Sequence, residues 1–358
     1  MDNQSIARSL LTSLMPEVGD YEQYVHQDLR SAIVGFGKMG ILHSGILNML
    51  APGLVKAAVD RSRLMKIGAS RLIKGVNFYN DLDKMLRKET PDIVYVTTPV
   101  QFHKDIVDML LKTNVKYVFL EKPPTVTHQQ LVSLVEEMRT DQTVMVGLQK
   151  RYALPFRHAK MLLSDGILGE ITKVSAYIRS ADMQGPVSRS QTIGRGALLD
   201  LGIHLVDLLL WIFDVCAVEA SICHKIYGTT DDRFEMQLRT TKNVEVTADV
   251  TWSDNEYRWP ETRLEISGTR GVLRATEDYV RVELTEKHIS LGNETRLALY
   301  KPHYYQGVPP VNLADPEYTL ENLHLLFCIF SGTEPLTSLR NVSSTMNIID
   351  ELYAKAIQ

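Results

Sequence analysis

Cysteine is scarce in this chain: three residues among 358, at Cys216, Cys223 and Cys328. The number is odd and no C-x-x-C pair occurs, which excludes a disulfide framework and reads as reduced packing residues of a cytoplasmic protein. Long apolar runs are also missing. None approaches the roughly 18 residues of a membrane helix, so a helical span is excluded. No block of lysine or arginine occurs, and 39 basic residues face 43 acidic ones for a formal net charge of -4. A nucleic-acid partner, which needs a basic face, is excluded with it. The first 30 residues carry Asp2, Glu17, Asp20, Glu22 and Asp28 against Arg8 and Arg30. That mixture argues against a signal peptide or a basic transit peptide. Repeats and low-complexity tracts are absent too, and the histidines show no metal-ligand spacing, so no metal is expected.

What is present is apolar patterning in two styles. Hydrophobic residues make up 44% of the chain, enough for two domains of ordinary size. Up to about residue 150, strand-like runs at Ala32–Gly35, Leu54–Val59, Val76–Tyr79, Ile93–Thr97, Tyr117–Leu120 and Val144–Leu148 alternate with helical spacing. The helical segments are Ile41–Leu50, Arg63–Ile73, Leu82–Arg87, Lys104–Lys112 and Val126–Met138. Strands apolar on both faces and separated by helices predict a doubly wound parallel sheet of the Rossmann type over 30–150. From Ile171 onward the strands are longer and alternate, as in Phe234–Arg239 and Val244–Trp252. This predicts an α+β domain over 151–340 with a large, mostly antiparallel sheet. Leu320–Phe330 and Ser343–Ala356 have helical spacing, and the final helix, 341–358, is expected to pack back on the first domain. Residues 1–29 form an extension with Ile6, Leu10 and Leu14 at helical spacing.

Three clusters carry chemistry. Gly35, Gly37 and Gly40 form G-x-G-x-x-G in the segment Gly35-Phe36-Gly37-Lys38-Met39-Gly40, between the first strand and the first helix. There the backbone N–H groups and the helix dipole suit a pyrophosphate, although a tight packing turn would use the same glycines. Asp60 closes the second strand, twenty residues on. Its carboxylate favours ribose hydroxyls and hence NAD, whereas the adjacent Arg61 could pair with the phosphate of NADP.

The second cluster, Glu121-Lys122-Pro123-Pro124, ends the fifth strand. Ligands of open α/β sheets meet the carboxyl ends of strands, which places Lys122 where its ammonium could hold an oxygen of a substrate. A surface lysine before a proline stop is the alternative. The third cluster runs from Gly194 to Asp207. Its apolar residues predict a buried helix, with Asp200, His204 and Asp207 on one stripe and Gly202 marking a close neighbour. The stripe faces either a ligand cleft or polar partners of its own.

Taken in order, these clusters resemble the glucose-fructose oxidoreductase and inositol dehydrogenase family (Gfo/Idh/MocA). The resemblance adds T-T-P-V-Q-F-H at 97–103, Q-K-R-Y at 149–152 and the segment Ile266–Gly271, and it covers about residues 30 to 358. It implies an NAD- or NADP-dependent dehydrogenase of a sugar, cyclitol or sugar nucleotide, assembled as a homodimer or tetramer. It also implies Lys122, Asp200 and His204 as the catalytic set. Thr97, Thr98, Pro99, His103 and Glu121 would lie beside the cofactor, and Gln149, Arg151 and Tyr152 on the substrate side. Histidine titrates near neutrality, so His204 suits the base, with Lys122 polarising the oxygen and Asp200 orienting the imidazole. The reverse assignment, Lys122 as base and His204 as relay, satisfies the same chemistry. Two further readings use the same fold: an enzyme that oxidises transiently with a tightly held NAD during sugar elimination or glycoside cleavage, and a non-catalytic dinucleotide sensor.

Overall fold

In the computed structural model, which describes residues 29–62, 75–181, 195–226, 230–257, 259–301 and 316–357, the apolar runs of the first part become parallel strands. The helix expected in the prefix and the one at 63–73 lie outside the described residues, as does Gly194. In chain order the elements are β1 (Ser31–Val34), α1 (Lys38–Leu50), β2 (Val55–Val59), β3 (Asn77–Tyr79), α2 (Leu82–Glu89) and β4 (Ile93–Val96). There follow α3 (His103–Leu111), β5 (Tyr117–Glu121), α4 (His128–Glu137) and β6 (Thr143–Gly147). The sheet order is β3-β2-β1-β4-β5-β6, every pair parallel. Both faces being covered, β1 and β4 are buried at every residue. The order reverses between β1 and β4, and a doubly wound sheet binds ligands at the carboxyl ends of such a pair.

The second half begins with α5 (Leu154–Ser164) and β7 (Ile171–Arg179), then a wide turn, Leu198–Gly202, leading into α6 (Ile203–Phe213). The strands β8 (Val215–His224), β9 (Arg233–Thr240), β10 (Glu245–Thr251), β11 (Glu261–Gly268), β12 (Gly271–Thr276), β13 (Tyr279–His288) and β14 (Glu294–Tyr300) follow. The chain closes with α7 (Pro316–Ser331), α8 (Leu339–Lys355) and β15 (Ala356–Ile357). The sheet runs β14-β13-β12-β11-β7-β10-β9-β8-β15. It is antiparallel except where β10 meets β7 and β15 meets β8. Alternation fixes its two faces: Phe234, Met236 and Leu238 of β9 are buried, while Arg233, Glu235 and Gln237 between them are not. On the wet face Asp249 accepts from both Arg179 Nε (2.9 Å) and Arg233 Nε (2.8 Å).

The chain divides into two compact units, and here the structure corrects one expectation. Among described residues the first unit holds 29–125, 129–149 and 316–342, and the second holds 126–128, 150–301 and 343–357. The chain passes from the first unit to the second at residue 150. The final helix, expected against the first domain, belongs from Ser343 onward to the second unit, where β15 adds a parallel strand beside β8 and Ser221 Oγ donates to Leu352 O at 2.9 Å. Edge pairing with β8 satisfies backbone groups, a gain that helical periodicity cannot register. The earlier helix α7 is the one that joins the first unit, against α1.

Candidate active site

The three glycines of the loop after β1 do three different things. Gly35 has φ +93°, a conformation that favours glycine, and a Cβ there would lie 2.8 Å from the Thr98 nitrogen. At Gly40 a Cβ would lie 2.3 Å from the Gly35 oxygen, so this glycine lets α1 approach β1. Gly37 differs: a Cβ there would meet nothing within 4 Å. It is the N-cap of α1, with an ordinary negative φ and no side-chain cap on the first N–H groups. Those donors are therefore left for an anion. The Thr98 hydroxyl beside the loop is buried and has no hydrogen-bond partner among the described residues. An open space before uncapped helix N–H groups, with an orphaned hydroxyl at its side, fits a dinucleotide pyrophosphate.

Two polar residues hold the loop. Thr97 Oγ1 donates to Gly35 O at 2.5 Å. Asp60 Oδ2 accepts the Phe36 N–H at 2.8 Å and Oδ1 the Ser62 N–H at 2.7 Å, which keeps the carboxylate at the rim of the loop. Arg61 carries its guanidinium over the Phe102 ring, 5.7 Å from the centroid. Lys38 and Pro99 are exposed and Met39 half-buried. His103 is 1% exposed and points inward: Nδ1 lies 2.9 Å from Pro123 O and Nε2 2.7 Å from Thr98 O. Burial pushes this imidazole below its ordinary range, and the two carbonyls oppose that shift. It ties the Thr98-Pro99 turn to the Lys122-Pro123 turn.

Lys122 follows the end of β5, half-buried, and the Lys122–Pro123 peptide is cis. Glu121 is buried, its Oε1 2.8 Å from His43 Nε2 and its Oε2 accepting the Lys122 N–H at 3.1 Å. Gln149 Nε2 donates to the Tyr318 hydroxyl at 3.0 Å.

The expected Asp200–His204–Asp207 stripe lies in the second unit, where its members differ in burial. The wide turn at Leu198–Gly202 runs directly into α6, so Asp200 lies on the turn while His204 and Asp207 lie three residues apart on the regular helix. Asp200 is exposed, and His204 is 4% exposed. Asp207, 1% exposed, takes the Arg151 guanidinium in a fork at 2.7 and 2.6 Å and the Thr345 hydroxyl at 3.0 Å. A buried carboxylate needs such partners. Arg151, expected on the substrate side, is thus tied to Asp207, and Tyr152 is 0% exposed. Gly202 does have its close neighbour: a Cβ there would lie 3.1 Å from Val250 Cγ2.

Asp231 and His43 escape a reading of the sequence. Asp231 accepts the Gly196 and Leu198 N–H groups, both at 2.7 Å, and the Tyr353 hydroxyl at 3.0 Å, which caps the wide turn. Its partners are 33, 35 and 122 residues away, beyond any local pattern. His43 had a signal, a histidine among Ile41, Leu42, Ile46 and Leu47 on an apolar helix face.

Gly37→Val and Gly40→Ala separate ligand space from packing. Gly40→Ala should lower stability by about 1–3 kcal/mol, because backbone must shift. Gly37→Val should leave the melting temperature unchanged and weaken NADH binding about tenfold or more. Thermal unfolding and NADH fluorescence titration check both, and unimpaired NADH binding by Gly37→Val would refute the loop assignment.

Comparison with known proteins identifies the family of both halves of the chain. Residues 29–148 match the family described as an oxidoreductase family with an NAD-binding Rossmann fold, and residues 156–274 match the GFO/IDH/MocA C-terminal domain. The chain is similar to D-apiose dehydrogenase of Paraburkholderia graminis, 25% identical over 308 residues that span 83% of this chain and 79% of that one. It is also similar to 2,7-anhydro-N-acetylneuraminate hydratase of Escherichia coli, 24% identical over 74% of this chain and 70% of the other. Among solved structures, levoglucosan dehydrogenase in complex with NADH and levoglucosan superposes with a TM-score of 0.78 at 19% identity. That match covers 92% of this chain and 97% of the other, and it speaks to the fold.

Proposed function

Because the chain belongs to the Gfo/Idh/MocA oxidoreductase family, we propose that it moves a hydride between a nicotinamide dinucleotide and a secondary carbinol or ketone of a sugar, cyclitol or sugar nucleotide. The observation that carries this reading is in the first unit. Lys122 follows the carboxyl end of β5, in the same sheet whose β1–β4 reversal bears the open glycine loop. When bound there, the nicotinamide accepts or returns the hydride at its C4. The loop from Gly35 to Gly40 with Phe36, Lys38 and Met39 would hold the pyrophosphate. Asp60 would meet the ribose hydroxyls, and Thr97, Thr98 and Pro99 would flank the ring side.

His204 removes the hydroxyl proton in this proposal, and Lys122 Nζ stabilises the charge that grows on oxygen. Asp200, exposed at the turn before α6, binds or orients. Glu121 and Gln149 complete the set, whereas Arg151 and Tyr152 support it from the core. Asp60 supports NAD over NADP: its charge repels a 2'-phosphate, and Arg61 lies over Phe102. A homo-oligomer, dimer or tetramer, belongs to the same proposal.

The hydratase relative favours a second reading, transient oxidation by a retained NAD. The sensor reading has no such support. A panel of cyclitols, aldoses, glycosides and sugar nucleotides, each given with NAD+ and with NADP+, tests both by reduced-nicotinamide absorbance. The expected result is net NADH from at least one class, with kcat/KM for NAD+ about tenfold above that for NADP+. Product formation without net NADH would shift the assignment to transient oxidation. Preference for NADP+ would overturn the role of Asp60.

A further inference from the structure

His43 stands three residues beyond Gly40 on α1, and its side chain is 0% exposed. The ring packs against Phe119 and Tyr95, with centroids 4.6 and 5.5 Å away. Its Nδ1 lies 3.0 Å from Asn322 Nδ2, and that amide nitrogen also donates to Tyr318 O at 2.7 Å. Asn322 Oδ1 is farther from Nδ1, at 3.4 Å, so the shorter contact assigns the amide nitrogen as donor on both sides, Nδ1 as acceptor and Nε2 as donor to Glu121 Oε1. The other Glu121 oxygen accepts the Lys122 N–H. One continuous chain of bonds thus runs from Asn322 through His43 and Glu121 to the main chain of Lys122.

The surroundings make that donor matter. Glu317 and Glu321 of α7 are 3% and 1% exposed. Burial raises the Glu321 carboxyl well above its ordinary range, and Glu121 and Glu317 add to the shift. Neither Glu321 oxygen nor the buried Tyr95 hydroxyl has a hydrogen-bond partner among the described residues. Glu121, itself buried, thus lies near a second buried carboxyl, and there the imidazole N–H fixes the orientation of its carboxylate.

We propose that His43 is a positioning residue for Lys122: by donating to Glu121 it fixes the carboxylate that holds the Lys122 amide, and so sets how the lysine leaves the strand end. This rests on the role of Lys122 proposed above. It also gives α1 a second task, since the helix that opens the dinucleotide loop carries the support for the lysine.

The full chain with NADH present provides the test, in His43→Phe, which keeps the ring packing but loses the N–H, and His43→Gln, which keeps a donor. Hydrogen exchange at the Lys122 amide should quicken about tenfold in His43→Phe and return to within about threefold of wild type in His43→Gln. Amides of β1 should not change. Where myo-inositol, D-glucose or D-apiose is oxidised with NAD+, kcat should follow the same order with KM held within about twofold. Wild-type exchange at Lys122 in His43→Phe, or equal quickening across the first unit, would overturn the proposal. Should His43→Phe not fold, Asn322→Leu serves, with the same local quickening expected and wild-type exchange refuting it. Lys122→Ala separates the two readings. If it leaves kcat unchanged while His43→Phe still frees the Lys122 amide, the role of Lys122 falls and the positioning link stands.

Discussion

Lys122→Ala should cut turnover by about 10²- to 10³-fold, the usual loss when one donor to a developing oxyanion is removed. NADH affinity and melting temperature should stay close to wild type, because the Lys122 side chain is half-buried rather than part of the core. His204→Asn should cost about 10²- to 10⁴-fold, as expected for a general base. The double variant should lose less than the product of the two, since groups that serve one step are not additive. His204 is 4% exposed, so a structural role makes a different forecast. In that case His204→Asn would melt earlier while each folded molecule turned over normally. Turnover per folded molecule decides between them, and a normal value would leave Lys122 as the candidate base.

The second large effect is one of stability. Arg151→Leu strands the carboxylate of Asp207 in the core, with only the Thr345 hydroxyl of its three observed hydrogen bonds remaining. Breaking one side of a buried pair costs about 3–5 kcal/mol, and denaturant unfolding should show it. Combining Arg151→Leu with Asp207→Leu should recover most of that loss, since two apolar residues leave no uncompensated charge. The substrate-side role implied by the resemblance forecasts the opposite: near-normal stability with a raised KM. Unfolding midpoints and KM on the same preparations distinguish them.

The contrast between Lys122 and Arg151 shows what a sequence can carry. Strands apolar on both faces, the placement of Gly35, Gly37 and Gly40, and the strand-end lysine are encoded within a few neighbouring residues, and the structure keeps each of them. Alternation in β9 and β10 likewise sorts inner from outer residues without any long-range information. Arg151 and Asp207 are 56 residues apart, and whether they meet each other or a ligand depends on packing that no local period records. The wide turn at Leu198–Gly202 is similar. Local propensity favours continued helix there, while Asp231, held in place by a different strand connection, captures the N–H groups of Gly196 and Leu198. His43 offers the sequence no more than a histidine on an apolar helix face. Its meaning required Asn322, 279 residues further on.

The mixed membership of the chain ends bears on the order in which the protein is made. Domains generally fold as they leave the ribosome, from the amino terminus onward. Here the first unit starts first but finishes nearly last, since β6 awaits the backbone of Thr337, whose oxygen accepts the Val146 N–H at 2.8 Å, and His43 awaits Asn322. Until about residue 331 has emerged, the nascent dinucleotide unit lacks the whole of α7, which brings the amide partner of the Glu121–His43 pair. Synthesis of the 9-stranded sheet is interposed in that interval, with only β15 still to come. A ribosome stalled anywhere between residues 150 and 315 would therefore display an unfinished first unit, a natural client for chaperones.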